Sequence, residues 1–543
     1  MFFKLFFVFI FLNLTLYSKD IDLGWLKNKP KTYARDFYIW QYLKQNNISS
    51  KHAKEAFNLV HVKNKKILFA YSSHKNNDKV NKKILCLKKS SSTLVKSSPF
   101  CIKEALSFNK ASRLSFEELK TVIFKTKKQY PEYSRRIALL NNKNFKKISS
   151  SLKAKDFVWL FLKVSSSFRI NKLNLAYSKH FIDEIKYQKG FSRFLKLIVT
   201  NNLMNKAQKS LLNIKSSKLS SADNFFLAMN ALSFNKRKKA MVFLNLAAKK
   251  TKSSSKLSKI LFWKYMASND REYIKELLKI RKINLYTLFA HDYYKEKIKN
   301  VVYSLKTLNT SASSFDEEDQ FAWIKVLRDT KKMNKTKLLK YQKTFSSSKH
   351  LAHYTYVKNR YENYKKSYFI NPYKNIIKDF PLKRQNLINA IARQESRFIP
   401  SSISTAYAMG VMQIMPFLSK ALAKQKKEEY DIFTMFNAKK SITYAHKHLN
   451  YLERVFKNPL LIAYAYNGGG GFTRSMFRKG LFVKNGQYEP YLSMEKVPYL
   501  ETREYAKKVL SNYIVYASKD KKRITVSSML RNVSKDARKS ITK

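Results

Sequence analysis

Apolar residues recur at helical spacing through the middle of the chain. Three neighbouring segments each carry a stripe in which apolar side chains stand three or four residues apart, which places them on one face of a helix. The stripes are Phe225, Met229 and Leu232; Met241, Leu244 and Ala248; and Leu257, Leu261 and Tyr265. Short polar connectors separate such segments, as in helical-hairpin solenoids. The pattern predicts successive helical pairs around a shared core.

Residues that break helices are nearly absent from this part. Between Pro131 and Pro372 the chain has 240 residues without a proline and with one glycine, Gly190. Such a stretch favours helices joined by short polar turns. No strict repeat motif is present, so we expect irregular helical pairs. Four serine clusters fit the turns: Ser149–Ser151, Ser165–Ser167, Ser253–Ser255 and Ser346–Ser348.

The amino-acid composition of the chain changes near residue 370. Seven of the nine glycines lie between Gly410 and Gly486. We predict a mostly α protein, with a superhelical region over 19–334, a small helical linker over 335–370 and a compact region over 371–520. Residues 521–543 form a basic tail, and we expect the polar chain after Ala517 to fray.

Residues 1–18 have the pattern of an export signal. One early lysine, Lys4, precedes an apolar run from Leu5 to Leu16, and Ser18 offers a small-residue cleavage position. The run is too short to span a bilayer comfortably, which predicts a secretory signal peptide. An uncleaved anchor stays open as the alternative. There is no cysteine near the apolar run, so lipidation is not expected. No later segment approaches the length and apolar character of a membrane span.

Cys86 and Cys101 are the two cysteines of the chain. In an exported protein they can pair across a short loop, and the bridge would stabilise the fold by roughly 3 kcal/mol. Two unpaired thiols are the alternative. A metal site is not expected, because a closed zinc site takes four ligands. His446 and His448 point to different faces of a predicted helix, so we expect solvated histidines rather than a shared metal.

The net charge is +73, from 109 basic and 36 acidic residues. Nucleic acid is the usual partner of so basic a chain, but the lysines are spread along the whole sequence. An exported protein meets other acidic targets, since peptidoglycan stem peptides carry carboxylates and membrane surfaces carry anionic lipids. We therefore expect association with the wall or membrane surface and no nucleic-acid binding.

Glu395 is the most informative residue of the compact region. Leu387, Ile391 and Glu395 are four residues apart, so a helix would carry a carboxylate on its buried face near its C-terminal end. Burial raises a carboxyl pKa, and such a group holds its proton near neutral pH, as a general acid must. A helix-end glutamate paired with Arg393 or Arg397 is the alternative.

Four ordered motifs give this carboxylate a context. They are Glu395-Ser396, GVMQIMP at Gly410–Pro416, AYNGGGG at Ala465–Gly471 and ETREY at Glu501–Tyr505. Over residues 368–520 they resemble the catalytic domain of the soluble lytic murein transglycosylases, the goose-type-lysozyme-like enzymes that cleave peptidoglycan. The resemblance implies a lysozyme-like, α-rich catalytic domain preceded by a helical superhelix shaped as a ring or horseshoe.

The resemblance also implies an activity. The enzyme would be a lyase that cleaves the β-1,4 bond between N-acetylmuramic acid and N-acetylglucosamine and leaves 1,6-anhydromuramyl ends, with Glu395 as the single acid and base. No cofactor is implied, glycan strands are the expected partner, and the periplasm is the expected compartment. Two alternatives stay open: a hydrolytic muramidase on the same scaffold, and a non-enzymatic basic helical-repeat binding protein.

Substrate contacts follow from the matched motifs. The amide of Gln413 can donate and accept hydrogen bonds, and Tyr466 can pack against a sugar ring. From the pattern alone Met412 would be core and Glu501 a helix-cap residue; the resemblance favours groove positions for both. The substrate-binding candidates are Ser404, Met412, Gln413, Tyr466, Asn467 and Glu501.

Several positions depart from the family. Tyr407 stands where the family usually has glycine, and Gly468–Gly471 replaces Ala-Gly-Pro-Gly. Ser441 and Ala445 replace Asn and Gly. These changes concern groove shape and loop stiffness and leave Glu395 in place.

Overall fold

The computed structural model describes residues 21–74, 78–142, 144–145, 152–306, 313–519 and 524–542. These residues are predominantly α-helical, as predicted. The described strands are two short segments, Val301–Val302 and Ser367–Tyr368, which pair in parallel. Within these ranges no helix has both the length and the apolar character needed to cross a membrane. The signal peptide predicted at residues 1–18 lies outside the described residues.

Short helices fill the first part of the chain, and polar side chains cap many of them. Ser90, Ser98 and Ser115 each accept a hydrogen bond from a backbone N–H of the first turn, which satisfies a donor that the helix start leaves unpaired. The helices are Leu23–Lys27, Tyr33–Tyr42, Ser50–Asn58, Lys65–Tyr71, Lys79–Lys88, Ser91–Lys96, Pro99–Ala105, Phe108–Ala111, Phe116–Thr126 and Pro131–Ala138, with 3₁₀ turns at Ser72–His74 and Leu139–Asn141.

The three predicted apolar stripes lie on three consecutive helices, and Phe225, Leu244 and Leu261 are buried in the core. Pairing of these helices buries their apolar faces against one another. The helices of this region are Ala154–Lys163, Ser166–Lys172, Lys179–Ile185, Phe191–Val199, Asn205–Ser210, Ser221–Ser233, Arg237–Lys249, Ser254–Ser268, Glu272–Leu278 and Leu285–Tyr293, with a 3₁₀ turn at Leu211–Asn213.

The serine clusters mark helix starts. Ser165 and Ser253 are the N-cap residues of helices, and Ser347 precedes a 3₁₀ turn. Serine favours such positions because its side chain can bond to free backbone groups. The connectors therefore lie at these three predicted clusters, and the cluster at 149–151 lies outside the described residues.

The C-terminal part is built around one long helix, Leu500–Ser518, which we call the Tyr505 helix. The acid helix, Leu382–Glu395, and the helix Pro459–Gly468 both pack along it. The other helices are Gln320–Asp329, Lys335–Thr344, Leu351–Tyr361, Lys374–Ile377, Pro416–Lys426, Ala438–Phe456, Gly470–Arg478, Tyr491–Lys496, Val526–Leu530 and Val533–Ile541, with 3₁₀ turns at Ser348–His350 and Ile432–Phe436.

The described residues form two hydrophobic cores, and the division between these cores does not follow chain order. One core runs from Cys86 to Ala290 through the middle helices and also includes Tyr488 and Leu492 of the C-terminal part. The other joins residues 21–84 with most of the C-terminal part, as far as Ala537. The first helices therefore belong to the same core as the acid helix.

Aromatic contacts fasten the N-terminal helices to the C-terminal part. Trp40 stacks on Tyr407 with ring centroids 5.4 Å apart, and Tyr38 stacks on Phe433 at 5.4 Å. Stacked aromatic pairs stabilise contacts beyond the area they bury. The C-terminal part therefore packs against the first helices of the chain.

A buried ionic cluster forms a second contact between the two parts. Glu495 is 1 % exposed and accepts hydrogen bonds from Lys507, at 3.0 and 3.1 Å, and from the hydroxyl of Tyr286. Lys259 lies 3.7 Å from the same carboxylate. Lys259 and Tyr286 come from the middle helices, so the C-terminal part is held from two sides.

The C-terminal tail is helical and packed, so the expectation that it frays is wrong. Val526–Leu530 and Val533–Ile541 bury apolar residues in the core. Ser540 donates from Oγ to the carbonyl oxygen of Val455 at 3.0 Å. Apolar residues at helical spacing are present among the lysines, and their burial outweighs the basic composition of the tail.

Cys86 and Cys101 are joined by a disulfide with 5.0 Å between their Cα atoms. Both side chains are buried in the core of the middle helices. The bridge links the helices Lys79–Lys88 and Pro99–Ala105.

Candidate active site

Glu395 is the last residue of the acid helix. Leu387 and Ile391, on the same stripe, are buried as predicted, and Glu395 itself is half-buried. The chain leaves the helix at once because Arg397 and Phe398 adopt left-handed backbone angles, with φ of 57° and 68°. The carboxylate therefore stands at a helix terminus, at the edge of the core.

Burial raises the pKa of Glu395 to about 7. Desolvation is the largest cause, since it disfavours the charged carboxylate. A hydrogen bond from the hydroxyl of Tyr505 to Oε1, at 2.7 Å, lowers the pKa, and the charge of nearby Glu501 raises it. Near neutral pH a large share of the molecules thus keeps a protonated Glu395, the state that a general acid needs.

Neither neighbouring arginine pairs with Glu395. Arg393 donates to the carbonyl oxygen of Tyr368 at 2.9 Å and to Oδ1 of Asn512 at 2.8 Å. Arg397 is exposed. Among the described residues, neither arginine contributes to the pKa of Glu395. The alternative of a helix-end ion pair is therefore not what the structure shows.

Two tyrosines lie beside the carboxylate. Burial, followed by the charge of Glu395, raises the pKa of both Tyr466 and Tyr505 well above the usual value, so both hydroxyls stay protonated. Tyr466 donates to the carbonyl oxygen of Met412 at 2.7 Å. Tyr505 is a site residue that sequence reasoning misses, although it ends the ETREY motif. Its contact with Glu395 spans 110 positions of the chain.

The GVMQIMP segment forms a tight turn next to the acid helix. Gly410 has a φ of 75°, and a Cβ atom there would lie 2.0 Å from the carbonyl oxygen of Met435, so a larger residue does not fit. Ser396 donates from Oγ to the carbonyl oxygen of Val411 at 2.7 Å. This bond ties the turn to the residue that follows Glu395.

Met412 and Gln413 hold the turn together. Met412 is fully buried, so the groove position favoured by the family resemblance is wrong and the core position favoured by the pattern is right. Gln413 is half-buried, and its Nε2 donates to the carbonyl oxygens of Ser402 at 3.0 Å and Gly410 at 2.9 Å. Its Oε1 is then the side-chain atom that can accept a hydrogen bond from a substrate.

The other candidates lie in three different settings. Ser404 accepts from the backbone N–H of Ala408 at 2.9 Å and so holds its own loop. Asn467 accepts at Oδ1 from the hydroxyl of Thr502 at 2.8 Å, which joins the AYN motif to the Tyr505 helix. Glu501 is exposed in the first turn of that helix. Their contacts with a substrate stay predictions.

Tyr407 accounts for one departure from the family pattern. It is fully buried at a φ of 66°, a conformation that costs a non-glycine residue energy. Its ring stacks on Trp40 and meets Phe37 edge-on at 5.6 Å. The side chain that replaces glycine is thus an anchor for the N-terminal helices.

His446 and His448 are half-buried, so the expectation of solvated histidines is wrong. His446 stacks on Phe380 with ring centroids 4.0 Å apart. His448 lies 5.8 Å from the ring of Tyr466, and burial lowers its pKa to about 4. The two imidazoles contact different neighbours, in line with their spacing. The described residues contain no group of three or more side chains suited to hold a metal ion.

The fold and the site together define a class: an α-helical protein whose compact C-terminal part presents one half-buried carboxylic acid at a helix end. Residues 381–484 match the family model of the Transglycosylase SLT domain.

Two curated relatives match the same part of the chain. A putative soluble lytic murein transglycosylase of Haemophilus influenzae is 33% identical over 132 residues, which cover 23% of this chain and 21% of the relative. The soluble lytic murein transglycosylase of Salmonella typhimurium is 31% identical over 130 residues, covering 23% and 20%. The aligned stretch thus spans about a fifth of each relative.

Solved structures are similar over a longer stretch at low identity. The 70 kDa soluble lytic transglycosylase from Escherichia coli is 16% identical, with a TM-score of 0.47, and the match covers 94% of this chain and 84% of that one. A complex of the 70 kDa soluble lytic transglycosylase with bulgecin A gives a TM-score of 0.48, at 16% identity and with 93% and 84% covered.

Proposed function

We propose that this chain is a peptidoglycan lytic transglycosylase. It cleaves the β-1,4 bond between N-acetylmuramic acid and N-acetylglucosamine and leaves 1,6-anhydromuramyl ends. The observation that carries the proposal is Glu395, a carboxylic acid with a pKa of about 7 at the end of the acid helix. The match of residues 381–484 to the SLT family supports the same reaction.

Glu395 serves both halves of the reaction. Its protonated carboxyl group gives a proton to the glycosidic oxygen while the bond from that oxygen to the anomeric carbon breaks. The resulting carboxylate then takes the proton of the muramyl 6-hydroxyl, whose oxygen bonds to the anomeric carbon. Glu395 ends as it began, and no water is consumed.

Tyr505 decides which oxygen of Glu395 takes part. Because its hydroxyl donates to Oε1, Oε1 is the accepting oxygen and Oε2 is the one that carries the proton towards the substrate. The same bond stabilises the carboxylate that forms after proton transfer. Tyr505 is therefore a positioning residue that acts through Glu395.

Glu501 is the second carboxylate near the site. Its charge is close enough to raise the pKa of Glu395, and a negative charge there also favours the positive charge that develops on the sugar ring. It is exposed at the start of the Tyr505 helix. We assign it a supporting role rather than the activation of water.

The proposed reaction also indicates the compartment in which the protein acts. Its substrate lies outside the cytoplasm, so we propose that the chain acts in the periplasm and that residues 1–18 direct its export. The net charge of +73 attracts the protein to the acidic wall, and salt screens this attraction between charges more than about 8 Å apart at physiological ionic strength. We assign it no cofactor.

Product masses test the proposal. Purified murein sacculi are digested with the full-length protein, and the released muropeptides are weighed by mass spectrometry. The proposal expects anhydromuramyl ends, which contain no added water. Reducing ends that carry one water would instead identify a muramidase, and undigested sacculi would contradict both activities.

A further inference from the structure

We propose that Arg393 and Asn512 form a clamp that fixes the acid helix against the Tyr505 helix and so positions the hydroxyl of Tyr505 on Glu395. Both are positioning residues, because they act on the acid through Tyr505. The inference deepens the proposed function and rests on it for its importance to catalysis. The clamp itself can be tested without a substrate.

Two sets of polar contacts join the two helices. At one end, Tyr505 donates from its hydroxyl to Oε1 of Glu395 at 2.7 Å. At the other end, Asn512 accepts at Oδ1 from Nη1 of Arg393 at 2.8 Å and donates from Nδ2 to the carbonyl oxygen of Ala390 at 3.1 Å. Going back along the acid helix, the partners advance from Tyr505 to Asn512, so the two helices are antiparallel.

Asn512 lies on the same face of the Tyr505 helix as Tyr505 itself. The two residues are seven positions apart, about two helical turns. Asn512 is 5% exposed, and it bonds to one side chain and one backbone carbonyl of the acid helix. Sliding or rotation of either helix would break a buried hydrogen bond, which is unfavourable when the groups stay away from water. The clamp therefore sets the position from which Tyr505 reaches Glu395.

Arg393 carries a desolvated charge that no carboxylate of the described residues neutralises. Desolvation is the largest cause that lowers its pKa. Its Nε donates to the carbonyl oxygen of Tyr368 at 2.9 Å, and the guanidinium lies 3.9 Å from the ring centroid of Phe369. Because desolvating a charge costs free energy, a side chain that only filled this space would be apolar. A planar guanidinium instead holds two acceptors in fixed directions, here on the short strand and on the Tyr505 helix.

The clamp acts on Glu395 through geometry rather than through charge. The ionisable groups that face Glu395 from the packed elements are Tyr505, Glu501 and Tyr466. Of these, Tyr505 lowers the pKa of Glu395 through its hydrogen bond, and Arg393 does not contribute to that pKa. A displaced Tyr505 helix would lengthen this bond and so raise the pKa of Glu395.

Direct titration of Glu395 tests the clamp. The full-length protein is labelled with carbon-13 at the glutamate carboxyl groups, and NMR follows the Glu395 signal, identified by its absence from Glu395→Gln, as the pH is raised. Asn512→Leu keeps the approximate shape of the side chain and removes both bonds. We expect it to raise the pKa of Glu395 by about one, the effect of one lost hydrogen bond to a carboxylate. In the Tyr505→Phe background the same change should add no further rise, because the bond that it acts through is already absent.

Asn458→Leu is the matched control. Asn458 is also buried, and its Nδ2 donates to the carbonyl oxygen of Met529 at 2.8 Å, so it joins two other elements of the C-terminal part. Its replacement should lower the Tm and leave the pKa of Glu395 unchanged. The control thus separates a loss of stability from a loss of positioning.

A second variant serves where Asn512→Leu does not fold. Arg393→Lys keeps the positive charge but cannot hold both acceptors at once, so the pKa of Glu395 should rise as in Asn512→Leu. A Glu395 that titrates at the wild-type pH in either folded variant would overturn the clamp, even with a lower Tm. So would an equal rise in the Tyr505→Phe background. Since the titration needs no substrate, wild-type protein that leaves sacculi uncut would contradict the proposed function and not the clamp.

Discussion

At the scale of single residues, the protonation of Glu395 depends on a balance between burial and one hydrogen bond. Desolvation raises its pKa, Tyr505 lowers it, and Glu501 raises it. In the proposed reaction, a pKa near 7 lets Glu395 give a proton and then take one, because neither the protonated nor the charged form is strongly favoured. A carboxyl group in water, with a pKa near 4.3, would have lost its proton before the reaction began.

Removing the hydroxyl of Tyr505 should raise the pKa of Glu395. Tyr505→Phe deletes the group that lowers the pKa of Glu395, so the pKa rises further. Activity requires the protonated acid, so wild-type activity should fall as pH rises through about 7. In the variant the fall should occur at higher pH, with a lower maximal rate because the carboxylate formed during the reaction is less stable.

A pH–rate profile on short soluble glycan strands measures the shift. Tyr273→Phe, on the half-exposed Tyr273 of the middle helices, is the matched control and should leave the profile in place. A basic limb of Tyr505→Phe that stays where it is, or moves to lower pH, would contradict the assigned hydrogen bond.

The sequence predicts Glu395 because its signal is local. A carboxylate on the stripe of Leu387 and Ile391 is visible within nine residues, and the acid helix follows that pattern. The role of Tyr505 is not predictable in this way. Its hydrogen bond to Glu395 crosses 110 positions of the chain, so no local pattern reveals it.

At the scale of elements, the Tyr505 helix joins the acid to the rest of the molecule. Glu501 and Tyr505, four residues apart, act on Glu395. Lys507 instead bonds to Glu495 and Tyr286. Residues spaced by two lie on different faces of a helix, so this helix faces the acid on one side and the middle helices on another.

The ionic cluster should therefore be sensitive to a single change. Glu495→Gln removes the buried carboxylate that pairs with Lys507 and leaves the partly exposed Glu504, at 3.1 Å, as the other carboxylate beside that ammonium. Breaking a buried pair from one side costs about 3–5 kcal/mol of unfolding free energy. Urea unfolding followed by circular dichroism measures the loss. Glu272→Gln, which breaks an exposed pair with Lys275, is the control and should not move the midpoint. Equal midpoints for Glu495→Gln and wild type would contradict the cluster's contribution.

Helices could be predicted from the sequence where the helical spacing of apolar residues is clear. They could not be predicted where many basic residues surround the apolar positions. The helices Ser221–Ser233 and Arg237–Lys249 show clear stripes and form as expected. The helix Val533–Ile541 carries a stripe too, but basic residues surround it and suggest a frayed tail. Its packing depends on the helix Gly470–Arg478, which the tail sequence does not reveal.

At the scale of the whole molecule, the middle helices and the compact part form one structure. The stack of Trp40 on Tyr407 and the bonds of Tyr286 to Glu495 hold the C-terminal part from two sides. The sequence divides the chain near residue 370 because glycine and proline change there. The division in three dimensions differs, since contacts between distant segments decide which residues share a core.

A truncated chain that begins at Tyr368 should therefore fold poorly. It keeps Glu395 and all four motifs but exposes Tyr407, Phe433 and the buried side chain of Glu495 to water. The sequence alone suggests that such a fragment would still cut short glycan strands; the shared core predicts instead an aggregating or partly unfolded protein. Circular dichroism and size-exclusion chromatography measure the outcome. A monodisperse fragment that cuts short strands at the wild-type rate would show that the two parts are independent.

In the proposed reaction Glu395 alone transfers both protons, and a single substitution removes this capacity. Glu395→Gln keeps the shape of the side chain and removes the proton that it gives. Release of anhydromuropeptides from sacculi should fall about 10²–10⁴-fold, the usual contribution of a general acid–base group, while the Tm and binding to sacculi stay unchanged. Glu429→Gln, at an exposed glutamate of the same region, should retain full activity. Release by Glu395→Gln within about threefold of wild type, a difference far below that contribution, would contradict the assignment.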